Sequence, residues 1–367
     1  MRLATRAAAR AIGHVEPNPA VGCVIATPRG EVLAIGHHRR FGGPHAEIDA
    51  LARCRALGRD PRGATMVVTL EPCNHHGKTG PCSEAVIAAG IARVVYARPD
   101  PNPPASGGAG RLSAAGVEVS MLSTVPEARD LSAAFCKRIT TGLPWVIAKW
   151  AQTVDGFLAT RTGSSQWISG ERSRRRVHRL RGRVDAILTG VGTVLRDDPR
   201  LTARDVTVRR TARRVVVDSH LRSPMSASIF VGVAGAPVTI ITTEASVAAH
   251  ADRVSAMRAT GAEVVGVPPA ADGRVHLEAA MRVLVERHDV LNVLVESGPG
   301  LISGLLAADL VDEAHAYIAP MVLGDPRGLS IVDLGGPREL AEAVRFDLRS
   351  MKRCGDDVRL SYIRAGR

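Results

Sequence analysis

Aromatic side chains are scarce in this 367-residue chain: three Trp, three Tyr and five Phe amount to 3% of it. Single-stranded nucleic acid is usually gripped by stacking its bases on such rings. The scarcity therefore argues against that partner, although 48 Lys and Arg against 36 Asp and Glu leave a net charge of +12. A solvated basic surface, used in part on a phosphorylated small molecule, is the expected role of that charge. Long hydrophobic runs are missing too. No stretch reaches the 18 or so apolar residues that a membrane helix needs. The first fifteen residues hold three arginines and no acid, faintly like a transit peptide, without the apolar run and small-residue cleavage site of a secretory signal. They read as an Ala-rich first helix running into Glu16-Pro17-Asn18-Pro19. No internal repeat occurs, so two different folds are expected in a chain too long for one typical core.

What is present is ordinary globular composition, 45% apolar, arranged as alternating helices and strands. In the first half, helices are expected over 2–13, 46–57, 83–89 and about 126–138. Strands are expected over 20–25, 31–35, 64–70 and 92–97, the third nearly all apolar and so covered on both faces, with a weaker strand before the last helix. Pro99–Gly110 reads as a Pro/Gly-rich loop. Gly142-Leu143-Pro144 marks the boundary between a first domain, 1–143, and a second, 144–367. There, strands are expected near 145–151, 185–189, 214–218, 237–242, 291–296 and 312–319. Helices follow near 171–183, 275–288 and 300–308.

The six cysteines, Cys23, Cys54, Cys73, Cys82, Cys136 and Cys354, are scattered, as befits buried thiols or metal ligands in a cytoplasmic protein. Two of them belong to the sharpest pattern in the chain: His45-Ala46-Glu47 with Pro72-Cys73 and Pro81-Cys82. Zinc favours nitrogen and sulfur donors, and a catalytic site uses three protein ligands while leaving one position for water. His-x-Glu with Pro-Cys-x-x-Cys marks zinc deaminases, in which the glutamate moves protons and does not bind metal. Here eight residues separate the cysteines, so the pattern is stretched. A structural zinc site remains an alternative; it calls for a fourth ligand, for which His75 and His76 are near, although both are expected to meet substrate. In the second half, Val293–Glu296, Ser297-Gly298-Pro299-Gly300 and Leu301–Ala308 form a strand, a Gly-rich turn and a helix. That arrangement suits a dinucleotide phosphate and equally an ordinary connection, and its spacing is not a Rossmann fingerprint. In the helix at 171–183, Arg181 lies at the edge of the buried stripe Val177, Leu180 and Val184, where its planar fork could reach phosphate in a cleft.

Asn18-Pro19-Ala20-Val21-Gly22, Pro44-His45-Ala46-Glu47 and the run from Thr69 through Glu71-Pro72-Cys73-Asn74-His75-His76-Gly77-Lys78-Thr79-Gly80-Pro81-Cys82 resemble the bifunctional riboflavin-biosynthesis deaminase/reductase family. The likeness continues through Asp100-Pro101-Asn102, Ala151–Gly156, Ser165–Ile168, Gly192–Pro199 and Glu296–Pro299. After Asn102 the chain departs, reading Pro103-Pro104-Ala105-Ser106-Gly107-Gly108-Ala109-Gly110 where the family tends to have a valine and a basic residue between glycines. The resemblance implies an α/β protein with a cytidine-deaminase-like three-layer domain followed by a dihydrofolate-reductase-like domain. It implies hydrolytic loss of an amino group from a diaminopyrimidinone ribosylamino phosphate, then NADPH-dependent reduction of the ribosyl group to ribityl. It assigns Zn2+ to His45, Cys73 and Cys82, proton transfer to Glu47, and contact with the pyrimidine to Asn18. Gln152, Trp167, Thr193, Asp197, Ser219 and the turn Gly298, Pro299, Gly300, Leu301, Ile302, Ser303 and Gly304 are implied to contact NADPH. Ser165, Arg181, Leu201, Arg204 and Glu296 are implied to hold the substrate, with Lys149 and Asp197 as candidates for polar assistance to the reduction. A dimer or tetramer is expected. Two alternatives stay open from the residues themselves: a zinc deaminase of another nucleobase with a regulatory second domain, and a basic nucleic-acid-binding protein with structural zinc.

Overall fold

The computed structural model describes residues 1–76, 80–336 and 339–366. The chain divides into two compact units, Met1–Leu143 and Pro144–Arg367. Among the described residues, no helix is long and apolar enough to cross a membrane.

The first unit begins with α1 (Arg2–Ala8), β1 (Gly22–Ala26), β2 (Val32–His37), α2 (Ala46–Ala56) and β3 (Thr65–Val68). It continues with α3 (Cys82–Ala88), β4 (Arg93–Tyr96), α4 (Gly108–Ala114), β5 (Glu118–Met121), α5 (Pro126–Asp130) and α6 (Ala133–Thr141). Its five strands lie in the order β2-β1-β3-β4-β5. β1 runs antiparallel to both neighbours, while β3, β4 and β5 are parallel. Parallel neighbours need crossover connections, and α3 and α4 supply them. The core gathers Cys23, Ile25, Met66, Val68, Val94, Leu51 and Leu112 from both faces of the sheet. Glycine sets the distance between layers. A Cβ on Gly36 of β2 would stand 2.3 Å from the Ala50 nitrogen of α2, and one on Gly108 would stand 1.8 Å from the Pro72 carbonyl oxygen.

The first helix is shorter than its alanines suggest and ends at Ala8. β3 alternates buried and half-buried residues and spans only Thr65–Val68, so it is less completely covered than its apolar composition implies. The segment expected to be all loop turns helical at Gly108, where the missing side chain lets α4 start against the Pro72 turn.

The second unit opens with β6 (Trp145–Thr153), β7 (Phe157–Ala159), α7 (Glu171–Arg181), β8 (Ala186–Gly190), α8 (Val191–Asp197) and β9 (Arg213–Val217). Next come β10 (Val238–Thr243), α9 (Glu244–Ala249), α10 (Ala251–Ala259), β11 (Glu263–Val267) and α11 (Leu277–His288). It closes with β12 (Asn292–Val295), α12 (Pro299–Ala307), β13 (Glu313–Ala319), β14 (Leu329–Ser330), β15 (Phe346–Cys354) and β16 (Asp357–Arg364). Nine of these strands form one sheet, β11-β10-β9-β8-β12-β6-β13-β16-β15. β11 through β13 are parallel, and the β15–β16 hairpin adds antiparallel to β13. The central strands are Val- and Ile-rich and buried, as parallel strands under helices must be.

The order places β8 between β9 and β12. The chain leaves β8 toward β9 and leaves β12 toward the other side of the sheet, and such a reversal opens a crevice at the carboxyl ends of the strands. α7 lies beside that crevice. Its first turn is capped from far along the chain: Asp357 Oδ2 accepts the Gly170 N–H at 2.8 Å and the Ser173 hydroxyl. β11, α8, α9, α10 and the β15–β16 hairpin were not foreseen. β15 shows why, because most of its side chains are exposed and the hydrophobic alternation of a half-buried strand is absent.

The close approach at Gly36 generates a prediction. Gly36→Ala should destabilise the first unit by about 1–3 kcal/mol, the usual cost of forcing atoms into a packed layer. Calorimetric melting measures it, and an unchanged melting temperature would contradict the assigned packing.

Candidate functional site

In the first unit three element ends converge. His45 is the residue before α2, Cys73 follows β3 in an irregular segment, and Cys82 is the first residue of α3. His45 Nδ1 lies 3.5 Å from Cys73 Sγ and 3.4 Å from Cys82 Sγ, and all three donor atoms fall within 4.8 Å of one another. Zn–N and Zn–S bonds of ordinary length at a tetrahedral angle place N and S about 3.6 Å apart. The spacing and the donor set therefore fit zinc. Cys82 donates its backbone N–H to Cys73 Sγ at 3.5 Å. The hydrogen bond from the Cys82 thiol, helped by His45, brings the Cys73 thiol down to about 4 in spite of burial, while Cys82 is pushed up.

Glu47 sits in the first turn of α2 and is 3% exposed. Burial pushes its carboxyl up to about 7, with His45 pulling the other way. A carboxyl poised there can both take and return a proton near neutral pH. Asn18 Nδ2 lies 3.3 Å from His38 Nε2, and His38 Nδ1 lies 2.8 Å from the Pro44 carbonyl oxygen. The carbonyl only accepts, so Nδ1 carries the hydrogen and Nε2 accepts from Asn18. The His38 ring meets the His45 ring edge-on at 5.5 Å. The sequence reading passed over His38; its place eight residues before Glu47's helix gave no motif to mark it. Glu71, to which the sequence assigns no role, accepts the N–H of Asp100 at 3.1 Å and of Ala109 at 2.9 Å, tying the Cys73 turn to the loop after β4 and to the start of α4. His76 Nε2 stands 3.9 Å from Glu84, and neither His75 nor His76 joins the three-ligand cluster among the described residues. Gly77, Lys78 and Thr79 of the motif lie outside the described residues.

The second unit holds a cleft of about 2030 Å³ at the crevice beside β8 and β12. Pockets for single small ligands run to roughly 300–1,000 Å³, so this one has room for a dinucleotide and a substrate together. Trp167, Thr193, Asp197, Ser219, Gly298, Pro299, Gly300, Leu301 and Gly304 line it, as do Ser165, Arg181, Leu201, Arg204 and Glu296. Loops from the two diverging strands are joined at its floor. The Gly298 N–H donates to Thr193 Oγ1 at 3.3 Å, and the Gly190 N–H donates to Ser297 Oγ at 3.2 Å. Trp167 is exposed at the rim, with the Arg174 guanidinium 4.8 Å from its ring centre.

Three expected contacts are not met there by side chains. The Gln152 amide oxygen instead accepts from the Trp150 indole at 2.7 Å, away from the cleft lining. Ile302 is fully buried in the core, and Ser303 Oγ accepts the Asp333 N–H at 2.9 Å. Both face away because the helical period turns them from the face that Leu301 and Gly304 present.

Arg181 does turn into the cleft, but its fork is already engaged. Nε and Nη2 grip the Glu296 carboxylate at 2.6 and 3.0 Å, and Nη1 donates to the Thr202 carbonyl oxygen at 3.1 Å. Lys149 Nζ stands 3.7 Å from the same carboxylate. Burial pushes Glu296 up, but Arg181 and then Lys149 outweigh it and hold the carboxyl down to about 2. Burial lowers Lys149, against the pull of Glu296.

Comparison with known proteins bears on both sites. Residues 144–360 match the model of the RibD C-terminal domain. Residues 1–98 match the cytidine and deoxycytidylate deaminase zinc-binding region. The riboflavin biosynthesis protein RibD of Escherichia coli is 39% identical over 100% of this chain and 98% of that protein. The chain belongs to the RibD family. The RibD protein of Aquifex aeolicus is 37% identical over 99% of this chain and 97% of its own length. Among solved structures, Acinetobacter baumannii RibD superposes with a TM-score of 0.82 at 31% identity, covering 99% of this chain and 97% of that one. A Thermotoga maritima protein described as a diaminohydroxyphosphoribosylaminopyrimidine deaminase/5-amino-6-(5-phosphoribosylamino)uracil reductase gives 0.80 at 32% identity, covering 100% and 97%. As a RibD protein this chain joins a cytidine-deaminase-like domain to a dihydrofolate-reductase-like domain and is a bifunctional enzyme of riboflavin biosynthesis, using zinc for deamination and NADPH for reduction. The regulatory-domain and nucleic-acid alternatives fall with that membership.

The Glu296 ion pair has a measurable consequence. A carboxylate held below its ordinary range stabilises the folded state above that range, and the contribution is lost as pH falls through the folded value. Between the ordinary 4.5 and about 2 this corresponds to about 3 kcal/mol. Glu296→Gln should therefore cost about that much at neutral pH, with the deficit narrowing below pH 4.5. Urea unfolding at stepped pH reads it; a deficit that does not change with pH would contradict the pairing.

Proposed function

We propose that residues 1–143 remove an amino group hydrolytically from a diaminopyrimidinone ribosylamino phosphate, and that residues 144–367 then reduce the ribosyl group of the product to ribityl with NADPH. The observation that carries the deaminase half is the set of three donor atoms, His45 Nδ1 with Cys73 and Cys82 Sγ, at 3.4–3.5 Å beside a buried Glu47. Zinc held by these residues supplies a Lewis acid that makes water nucleophilic near neutral pH. Glu47 takes the proton from the attacking water and returns it to the departing amine, so that ammonia leaves as the carbon–nitrogen bond breaks. Asn18, oriented by His38, meets the pyrimidine and keeps the ring carbon that bears the leaving amine turned toward Glu47.

In the reductase half, NADPH brings the hydride. The N–H groups of Gly300 and Leu301 at the start of α12, and the Thr193 hydroxyl, suit its pyrophosphate. Trp167, Asp197 and Ser219 line the rest of its path. Ser165, Leu201, Arg204 and Glu296 hold the phosphorylated substrate. Arg181 uses three of its five N–H groups on Glu296 and Thr202, so its contribution is chiefly to set Glu296 and the loop that follows α8. The Lys149 ammonium and the Asp197 carboxyl, the latter raised by burial, line the cleft and are the candidates for polar assistance to the reduction. The reading takes the enzyme as cytoplasmic and as a dimer or tetramer, which the exposed Leu348 and Met351 of the edge strand β15 support.

A paired assay on the zinc-loaded enzyme tests both halves, following ammonia release and NADPH absorbance. Ammonia should appear without NADPH, and absorbance should fall only once deamination has run; NADPH left untouched would remove the reductase assignment. Glu47→Gln should retain one zinc per chain and lose deamination by about 100-fold or more. Normal turnover in that variant would end its role as proton carrier. A strong chelator should stop ammonia release while sparing reduction of the deaminated intermediate.

A further inference from the structure

The segment joining α8 to β9 carries Leu201 and Arg204 into the cleft, and its backbone is constrained on either side of residues 202–204. Leu201 has φ of 50° and Asp205 has φ of 57°. This left-handed region costs a residue with a side chain on the order of 1–2 kcal/mol. Such a segment keeps one conformation only where its surroundings impose it. Burial of the Leu201 side chain holds one point. Two side chains one turn apart on α7 hold the rest: Arg181 Nη1 donates to the Thr202 carbonyl oxygen at 3.1 Å, and His178 Nδ1 accepts the Arg204 N–H at 3.2 Å. Residues three apart share a helix face, so the two grip the segment from one side, one taking a carbonyl and the other an amide.

We infer that His178 is a positioning residue of the reductase: by accepting the Arg204 amide hydrogen it fixes where the Arg204 guanidinium meets the substrate phosphate. The inference rests on the reading of Arg204 as a phosphate-holding residue. For Nδ1 to accept, it must keep its lone pair, with any ring hydrogen on Nε2. The surroundings favour that form. Burial first, then the Arg181 and Arg204 charges, lower the His178 pKa, while Glu296 and the Thr202 backbone oppose them. His178 itself lines the cleft beside Arg181 and Arg204, so a change there is felt at the substrate end and not along the NADPH path past Ser219 and Thr193.

Steady-state reductase kinetics of the full-length enzyme test this, using the deaminated intermediate with and without its phosphate. His178→Ala should raise KM for the phosphorylated intermediate about tenfold, the upper range for one lost hydrogen bond. Its kcat and its KM for NADPH should stay within about twofold. Asparagine places its side-chain oxygen as far from Cβ as Nδ1 stands, so His178→Asn should restore KM to within about threefold of wild type. Glutamine moves the oxygen one carbon further, and His178→Gln should resemble the alanine variant. On the dephosphorylated intermediate all four proteins should coincide. If Asn and Gln behave alike, or if the loss persists without the phosphate, the inference is overturned; the Asn–Gln comparison holds even if the alanine variant does not fold. Arg204→Ala separates the two levels. Unchanged KM there removes the phosphate reading and this inference together, whereas raised KM there with normal KM in His178→Ala removes only the inference.

Discussion

A backbone N–H shut away from water must find an acceptor, and in this protein carboxylates supply acceptors for several of the segments that shape the two sites. Glu71 takes one amide from the loop after β4 and one from the first turn of α4, and so anchors the turn that carries Cys73. Asp357 takes the amide at the start of α7, the helix that delivers His178 and Arg181. Asp218 accepts from the amides of Arg222 and Ser223 and shapes the loop bearing Ser219. Each of these acids is buried, and Asp357 reaches the start of α7 from 187 residues further along the chain. Removing any one leaves orphaned donors, which costs more than the single bond is worth when made. The reacting groups keep their places because unreactive carboxylates hold the backbone beneath them.

The metal centre was largely legible in the chain because ligand chemistry dictates residue type. Only a few side chains can bind zinc, each of the three follows a proline, and all fall near the ends of elements that hydrophobic pattern could locate. His38 was not legible. Its part depends on which ring nitrogen faces Asn18, and that is decided by a carbonyl six residues away, at Pro44. The parallel strands were visible through their Val and Ile runs, whereas β15 was hidden by its exposed, charged side chains. Arg181 shows a subtler limit. Helical spacing pointed its side chain toward the cleft, but only the tertiary fold brings Glu296, 115 residues away, to occupy the fork. Gln152, Ile302 and Ser303 came from a resemblance carried over residue by residue, and the side chains at those positions face elsewhere.

Charge in the reductase cleft follows from the same pairing. Glu296 is flanked by Arg181 and Lys149, so one positive charge remains after the carboxylate is neutralised. A phosphate monoester carries nearly two negative charges at neutral pH, and partly buried charge of that size requires compensation. The buried trio supplies at most half of it. The remainder falls to cations that line the cleft without being locked in a bidentate pair, and Arg204 is the one whose backbone N–H is held by α7. A guanidinium on an unsupported loop would give up side-chain and backbone freedom when it closed on phosphate. One whose main chain is already fixed by α7 gives up only the former. In the proposed reading, the arginine that grips a carboxylate and the arginine assigned to the phosphate divide the work, the first making the loop rigid enough for the second to act.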